Sequence, residues 1–344
     1  MKVLRLHKPF DMRFHDEPVP EIGPDEVLLK VASVGVCASD DHYYREGRIG
    51  DQVVEQPLVL GHEFSATVVE VGANVRGLPE GARVAVEPGK PCMECRQCRD
   101  GHTNLCRRIV FFGTPPVDGA LREYLAWPAE LCVQVSENTT FDEAAMIEPL
   151  AVGVYAVDLA EMAGGEHVAI LGVGAIGLSV LQAAKVVGAG KLVVSDPIPE
   201  RRELAMRLGA DVAIDPAEPG ATERILGETD GGAEVAFECA GMLDAVWQSV
   251  EVIRPKGRVV VVGIPEEDRY CFPGSLCRRR EIAVQFVRRS RNAAERSVEM
   301  LERGLVNAVL YATHVFPFER AEDAFRLAAE KIDGVVRAVI RVSE

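Results

Sequence analysis

His167-Val168-Ala169-Ile170-Leu171, followed directly by Gly172-Val173-Gly174-Ala175-Ile176-Gly177, reads as a buried strand, a tight turn and a helix start. The first glycine of this G-x-G-x-x-G permits the turn, the second lets a pyrophosphate approach the backbone, and the third lets the helix close on the strand. A helix start also presents unpaired N–H groups and a partial positive charge to phosphate. Such a turn alone can be a plain βα connection. Here Asp196 stands 19 residues beyond Gly177 (177 to 196), at the end of the next strand. There a carboxylate can accept hydrogen bonds from both adenosine ribose hydroxyls, whereas its local alternative is an N-cap before Pro197. A 2′-phosphate would meet a like charge, roughly 4 kcal/mol at 4 Å before solvent relaxation. The expectation is therefore an NAD site formed by Gly172, Gly174, Ala175, Ile176, Gly177, Asp196 and Arg201, with Arg201 and Arg202 able to soften the preference over NADP.

Outward from this turn, buried runs at 191–195, 212–214, 234–238, 258–262 and 281–286 alternate with helical stretches such as 175–187 and 200–208. Strands joined by crossover helices make an α/β, doubly wound parallel sheet. From residue 3 to about 129 the pattern is instead short β-branched runs (27–34, 65–71, 82–86) between Gly, Pro and Asp turns, an all-β region. A helix over 293–303 and a strand-rich end at 335–342 close the chain. The expected division is a discontinuous domain of 1–149 and 288–344 around a dinucleotide-binding domain of 150–287. No repeat or long linker separates them, so a ligand cleft between directly packed domains is expected.

The chain of 344 residues exceeds what one core of up to about 300 supports. No apolar run nears the roughly 20 residues of a membrane helix, and Met1-Lys2-Val3-Leu4-Arg5 lacks the apolar core of a secretory leader. A soluble, cytoplasmic protein is expected. The net charge of −15 opposes nucleic acid as a partner, since polyanion binding needs clustered Lys and Arg. In a reducing compartment, nine cysteines read as metal ligands and buried thiols rather than disulfides.

Cys92, Cys95, Cys98 and Cys106 crowd one loop. Four thiolates so close suit tetrahedral Zn²⁺ with no open position, a structural site, with an iron–sulfur cluster or disulfides as the alternatives. A second set is scattered: Cys37, the pair His62-Glu63, and Glu148. Thiolate, imidazole and carboxylate can hold Zn²⁺ and leave a position open, yet each residue also has a structural reading as buried thiol, core histidine or helix-end carboxylate.

The order Cys37, Gly61-His62-Glu63, cysteine loop, Glu148-Pro149, glycine turn resembles the medium-chain zinc alcohol dehydrogenases along the whole chain. Tyr43-Tyr44-Arg45-Glu46-Gly47-Arg48-Ile49-Gly50, Phe111-Phe112-Gly113-Thr114-Pro115-Pro116 and Glu148-Pro149-Leu150-Ala151-Val152-Gly153 look most like the sorbitol and other polyol dehydrogenases. The resemblance implies a partly open, GroES-like β-barrel catalytic domain and a Rossmann domain. It implies two zinc ions per chain, the catalytic one bound by Cys37, His62 and Glu63, with Glu148 ligating it or holding its water. Ser39 and His42 resemble the family's proton relay, their local alternative being turn hydrogen bonds. Tyr43, Ile49, Phe111, Thr114, Glu148 and Arg288 would surround a polyol, whose secondary alcohol passes hydride to NAD. A homo-oligomer, tetramer or dimer, is also implied. Aldonate, inositol, threonine and butanediol dehydrogenases share the frame, and an inactive nucleotide-binding relative is opposed by the retained metal set. Arg288-Arg289-Ser290-Arg291 departs from the pattern, where an aromatic often follows the first arginine. The extra arginines either pair with carboxylates at a subunit interface or clamp a substrate carboxylate.

Overall fold

Six parallel strands, in the order Val212–Ile214, Lys191–Ser195, His167–Leu171, Ala233–Glu238, Ile253–Val261, Ala283–Phe286, form one sheet of the computed structural model, which describes residues 1–265 and 269–343. Glu344, the end of the expected tail, lies outside the described residues. The strand containing Val168 to Leu171 is buried throughout, as befits a parallel strand covered on both faces. Chain order reverses between His167–Leu171 and Ala233–Glu238, the switch point at which the loops from the carboxyl ends diverge and open a crevice. The edge strand starts later than its apolar pattern suggests, because Glu281 takes up a left-handed conformation (φ 50°) to cap the helix Gly274–Arg280.

The other unit carries a seven-stranded mixed sheet, in which Cys132–Gln134, Arg83–Val86, Glu63–Val71, Glu26–Gly35, Arg337–Arg341 and Ala312–Pro317 follow one another and Tyr124–Pro128 also pairs with Glu26–Gly35. A three-stranded sheet joins Asp11–Asp16, Lys2–Lys8 and Leu58–Val59. Val3, Leu29, Phe64, Leu121, Trp127, Phe325 and Ile340 belong to its core. The tail strand Arg337–Arg341 sets Ile340 opposite Val34 in the Glu26–Gly35 strand.

The chain divides into Met1–Glu148 with Ala308–Glu344, and Pro149–Asn307. Residues 288–307, expected with the tail, fall in the second unit, where Asn307 N donates to Gln182 (2.6 Å) and Arg296 pairs with Asp158 (2.8 Å). The region expected to be all-β contains a helix, Ala38–Glu46, closed by Gly47 in the left-handed region (φ 69°). Its run of polar residues hides any apolar period, although Asp40 and Asp41 in the first turn and Gly47 after the last are helix-end signals. Among the described residues no helix is long and apolar enough to cross a membrane.

The glycine turn divides its labour. A Cβ on Gly177 would stand 1.9 Å from the Gly172 carbonyl oxygen, whereas one on Gly174 meets nothing nearer than Arg201 Nη1 at 3.8 Å. Gly177→Ala should therefore lower stability by about 1–3 kcal/mol through overpacking. Gly174→Ala should leave the thermal midpoint of the unliganded protein nearly unchanged while weakening dinucleotide binding. Equal midpoints for the two variants would refute this division.

Candidate active site

Two turns meet at the end of the Glu26–Gly35 strand. Cys37 is the N-cap of the helix Ala38–Glu46, and His62 precedes Glu63, which opens the strand Glu63–Val71 and pairs with Gly35. Gly35 leaves room for the carboxylate, since a Cβ there would lie 2.5 Å from Glu63 Oε2. The ligand atoms of Cys37, His62 and Glu63 all lie within 4.8 Å of one another, with His62 and Glu63 buried.

Asp40 links the two turns. Fully buried, it accepts from Cys37 N through Oδ2 (3.0 Å) and from Gly61 N through Oδ1 (3.1 Å), and Oδ1 also lies 3.5 Å from His62 Nδ1. Behind Glu63 stands buried Arg337, its Nη2 3.0 Å from Glu63 Oε1 and its Nη1 donating to the Val36 carbonyl (2.9 Å). Neither residue was picked out by motif. Asp40 carries a faint signal as an acid in a first helical turn, whereas Arg337 carries none. Removing one partner of such a buried pair strands a charge, at about 3–5 kcal/mol.

The set fits a cation. Both Glu63 oxygens are buried without a well-formed hydrogen bond. Burial would lower the His62 imidazole, but Asp40 and Cys37 outweigh it and hold it well above the usual range. Burial pushes the Glu148 carboxyl up to about 8, with His62 drawing it down and Glu63 pushing it further up. Sulfur, nitrogen and oxygen donors together suit Zn²⁺ at about 2.0–2.3 Å each. Glu148, in the first turn of the helix Ile147–Leu159, is not one of the three converging groups but feels their charges.

Ser39 and His42, three residues apart in the helix Ala38–Glu46, share a face, and half-buried His42 has Nδ1 3.5 Å from Glu46 Oε1. Phe111 packs its ring against His62, with centroids 5.5 Å apart. Tyr43 is buried in the first unit's core, Ile49 and Thr114 are half-buried in the same unit, and exposed Arg288 lies in the second unit just past the edge strand.

The four loop cysteines converge as well, with Cys95 Sγ 3.5 Å from Cys98 Sγ and 3.9 Å from Cys106 Sγ. These spacings exceed a disulfide and match the edges of a ZnS₄ tetrahedron, about 3.8 Å for bonds of about 2.3 Å. The N–H groups of Glu94 and Cys95 lower the Cys92 thiol to about 6, while burial pushes Cys98 up to about 12.

At the glycine turn, Asp196 is already engaged: Oδ2 accepts from Val173 N (2.9 Å) and Oδ1 from Ile198 N (2.9 Å), which leaves lone pairs on both oxygens. Arg202 is tied down, with Nη1 donating to the Asp196 carbonyl (2.6 Å) and pairing with Asp215 (3.1 Å). Arg201 lies beside Gly174.

Residues 23–137 match the family model of the alcohol dehydrogenase GroES-like domain, and residues 175–303 that of the zinc-binding dehydrogenases. The chain is 37% identical to a sorbitol dehydrogenase of Bacillus subtilis over 331 residues, covering 96% of this chain and 94% of the relative. A solved Escherichia coli oxidoreductase of unknown specificity superposes with a TM-score of 0.95 at 33% identity, covering 100% of this chain and 99% of that one. L-idonate 5-dehydrogenase of Escherichia coli superposes with a TM-score of 0.92 at 29% identity, covering 99% and 98%.

A set of three donors that leaves a coordination position open and a closed set of four predict unlike retention. Native protein should contain about two zinc ions per chain, and mild chelation should remove the one at Cys37 and His62 before the quartet's. Elemental analysis of Cys37→Ser should find about one zinc remaining. Native protein with one zinc or none would overturn the assignment.

Proposed function

This chain belongs to the zinc-binding alcohol dehydrogenases with a GroES-like domain, and we propose that it oxidises a secondary alcohol of a polyol or related sugar derivative to the ketone, with NAD as hydride acceptor. The observation that carries the reading is the convergence of Cys37, His62 and Glu63 within 4.8 Å, braced by Asp40 and Arg337. Zinc held by these three would supply Lewis acidity, lowering the pKa of a hydroxyl oxygen toward neutrality. Asp40 beside His62 Nδ1 sets the tautomer and leaves Nε2 for the metal. Arg337 balances the Glu63 charge and holds its carboxylate in place. Glu148 stands beside the set to orient water or substrate. Ser39 and His42 carry the released proton toward solvent, with His42 as the outer base near Glu46. Tyr43, Ile49, Phe111, Thr114 and Arg288 are the candidate substrate contacts, and the cysteine quartet holds a second, structural zinc.

On the dinucleotide side, open space over Gly174 admits the pyrophosphate, and Asp196 keeps lone pairs for ribose hydroxyls. Arg202, held by Asp215, is withdrawn from a 2′-phosphate, which favours NAD over NADP. A cytoplasmic homo-oligomer without nucleic-acid or membrane partners is the setting that fits this chemistry.

A second reading, a sugar-acid substrate, is favoured by one observation: Arg288, Arg289 and Arg291 crowd the carboxyl end of the Ala283–Phe286 strand in an acidic protein. Steady-state NAD reduction should rank neutral polyols at or above the matching aldonic acids. An acid preferred by about tenfold in kcat/KM, collapsing in Arg289→Ala or Arg291→Ala, would replace the polyol reading with the sugar-acid one.

Asp196→Asn removes the charge and keeps one of the two backbone acceptors, at some cost to the turn, so it should narrow the NAD to NADP ratio of kcat/KM. An unchanged ratio would show that Asp196 does not set cofactor choice.

A further inference from the structure

Glu238 is a buried carboxylate that no motif accounts for. It ends the strand Ala233–Glu238, level with Leu171 on one neighbour and Val261 on the other, so it sits at the carboxyl edge of the switch point. Its side chain turns back on the following residues: Oε1 accepts from Ala240 N (2.8 Å) and Gly241 N (2.7 Å). Its own carbonyl accepts from Val262 N (2.8 Å) and Gly263 N (3.0 Å), which draws in the end of the neighbouring strand Ile253–Val261. Oε2 is buried without a well-formed hydrogen bond, although the N–H groups of Met242 and Gly263 also favour the carboxylate.

The residues it folds over form the wall across from the glycine turn. A Cβ on Gly172 would stand 2.8 Å from Ala240 N, and one on Gly177 lies 3.5 Å from Cys239 Cβ. A Cβ on Gly241 would meet the Ile264 carbonyl at 2.2 Å, and one on Gly263 would meet Gly241 N at 2.3 Å. Backbone thus packs on backbone around Gly172, Ala240, Gly241 and Gly263, and the two N–H bonds to Glu238 hold that arrangement.

We propose that Glu238 is a positioning residue for the dinucleotide: by accepting from Ala240 N and Gly241 N it shapes the crevice wall facing Gly172 and so sets NAD affinity, without touching the metal. This rests on the reading of the second unit as a dinucleotide site. What Glu238 supplies is reach and an acceptor oxygen rather than charge. Gln has the same length and acceptor, whereas Asp keeps the charge but falls one methylene short.

The test is NADH affinity of the zinc-loaded enzyme by fluorescence titration, with kcat, both KM values and zinc content measured alongside. Glu238→Gln should stay within about threefold of the native Kd, while Glu238→Asp and Glu238→Ala should weaken it by about tenfold, the scale of one lost hydrogen bond. The KM for NAD should follow Kd, with kcat at saturating NAD and the KM for the alcohol little changed. If Glu238→Ala does not fold, the Gln and Asp variants decide the matter. Native affinity in Glu238→Asp, or Gln as weak as Asp, would overturn the proposal. Native enzyme that binds no NADH would overturn the dinucleotide reading itself, whereas normal native binding with an unaffected Asp variant would overturn only the role of Glu238.

Discussion

A single buried carboxylate, Asp40, ties the first unit's functional region together. It grips the backbone on both sides of the metal set, at Cys37 and at Gly61, and faces the imidazole between them. Hydrogen bonds to an ionised acceptor are shorter and stronger than neutral ones, and burial strengthens them further. The cost of burying that charge is offset only because two N–H groups and a histidine surround it. Cys37, His62 and Glu63 come from a helix cap and a strand start that the Gly35–Glu63 register brings together and Asp40 ties to one another.

The second unit repeats the device without a metal. Asp196 receives N–H groups from Val173 and Ile198, and Glu238 receives them from Ala240 and Gly241. In each case a carboxylate at a strand end orders the turn that follows, where parallel strands leave backbone donors without ladder partners. These two acids stand at the carboxyl ends of the strands that flank His167–Leu171, so the walls of the crevice are set by side-chain acceptors as much as by the sheet. An acidic chain of net charge −15 thereby spends part of its negative charge on structure.

Much was legible in advance because it is local. The helix Ala175–Val187 and the strands His167–Leu171, Lys191–Ser195 and Val212–Ile214 coincide with their apolar patterns, and the quartet was readable because its members share one loop. Where local pattern was weak, the reading failed. The polar helix Ala38–Glu46 was absorbed into an all-β region, because its run of polar residues shows no apolar period.

What the amino-acid sequence determined by itself, then, was the parallel sheet, the glycine turn and the clustering of the loop cysteines, since backbone periodicity and short-range spacing are written in neighbouring residues. Only the tertiary structure decided that Glu63 meets Arg337, that Asp40 bridges Cys37 and Gly61, and that Ala240, bonded to Glu238, packs against Gly172. Those meetings follow from strand order and register: Gly35 opposite Glu63, Ile340 opposite Val34, Leu171 beside Glu238. Register is settled by the cooperative burial of whole sheet faces, which no single residue announces.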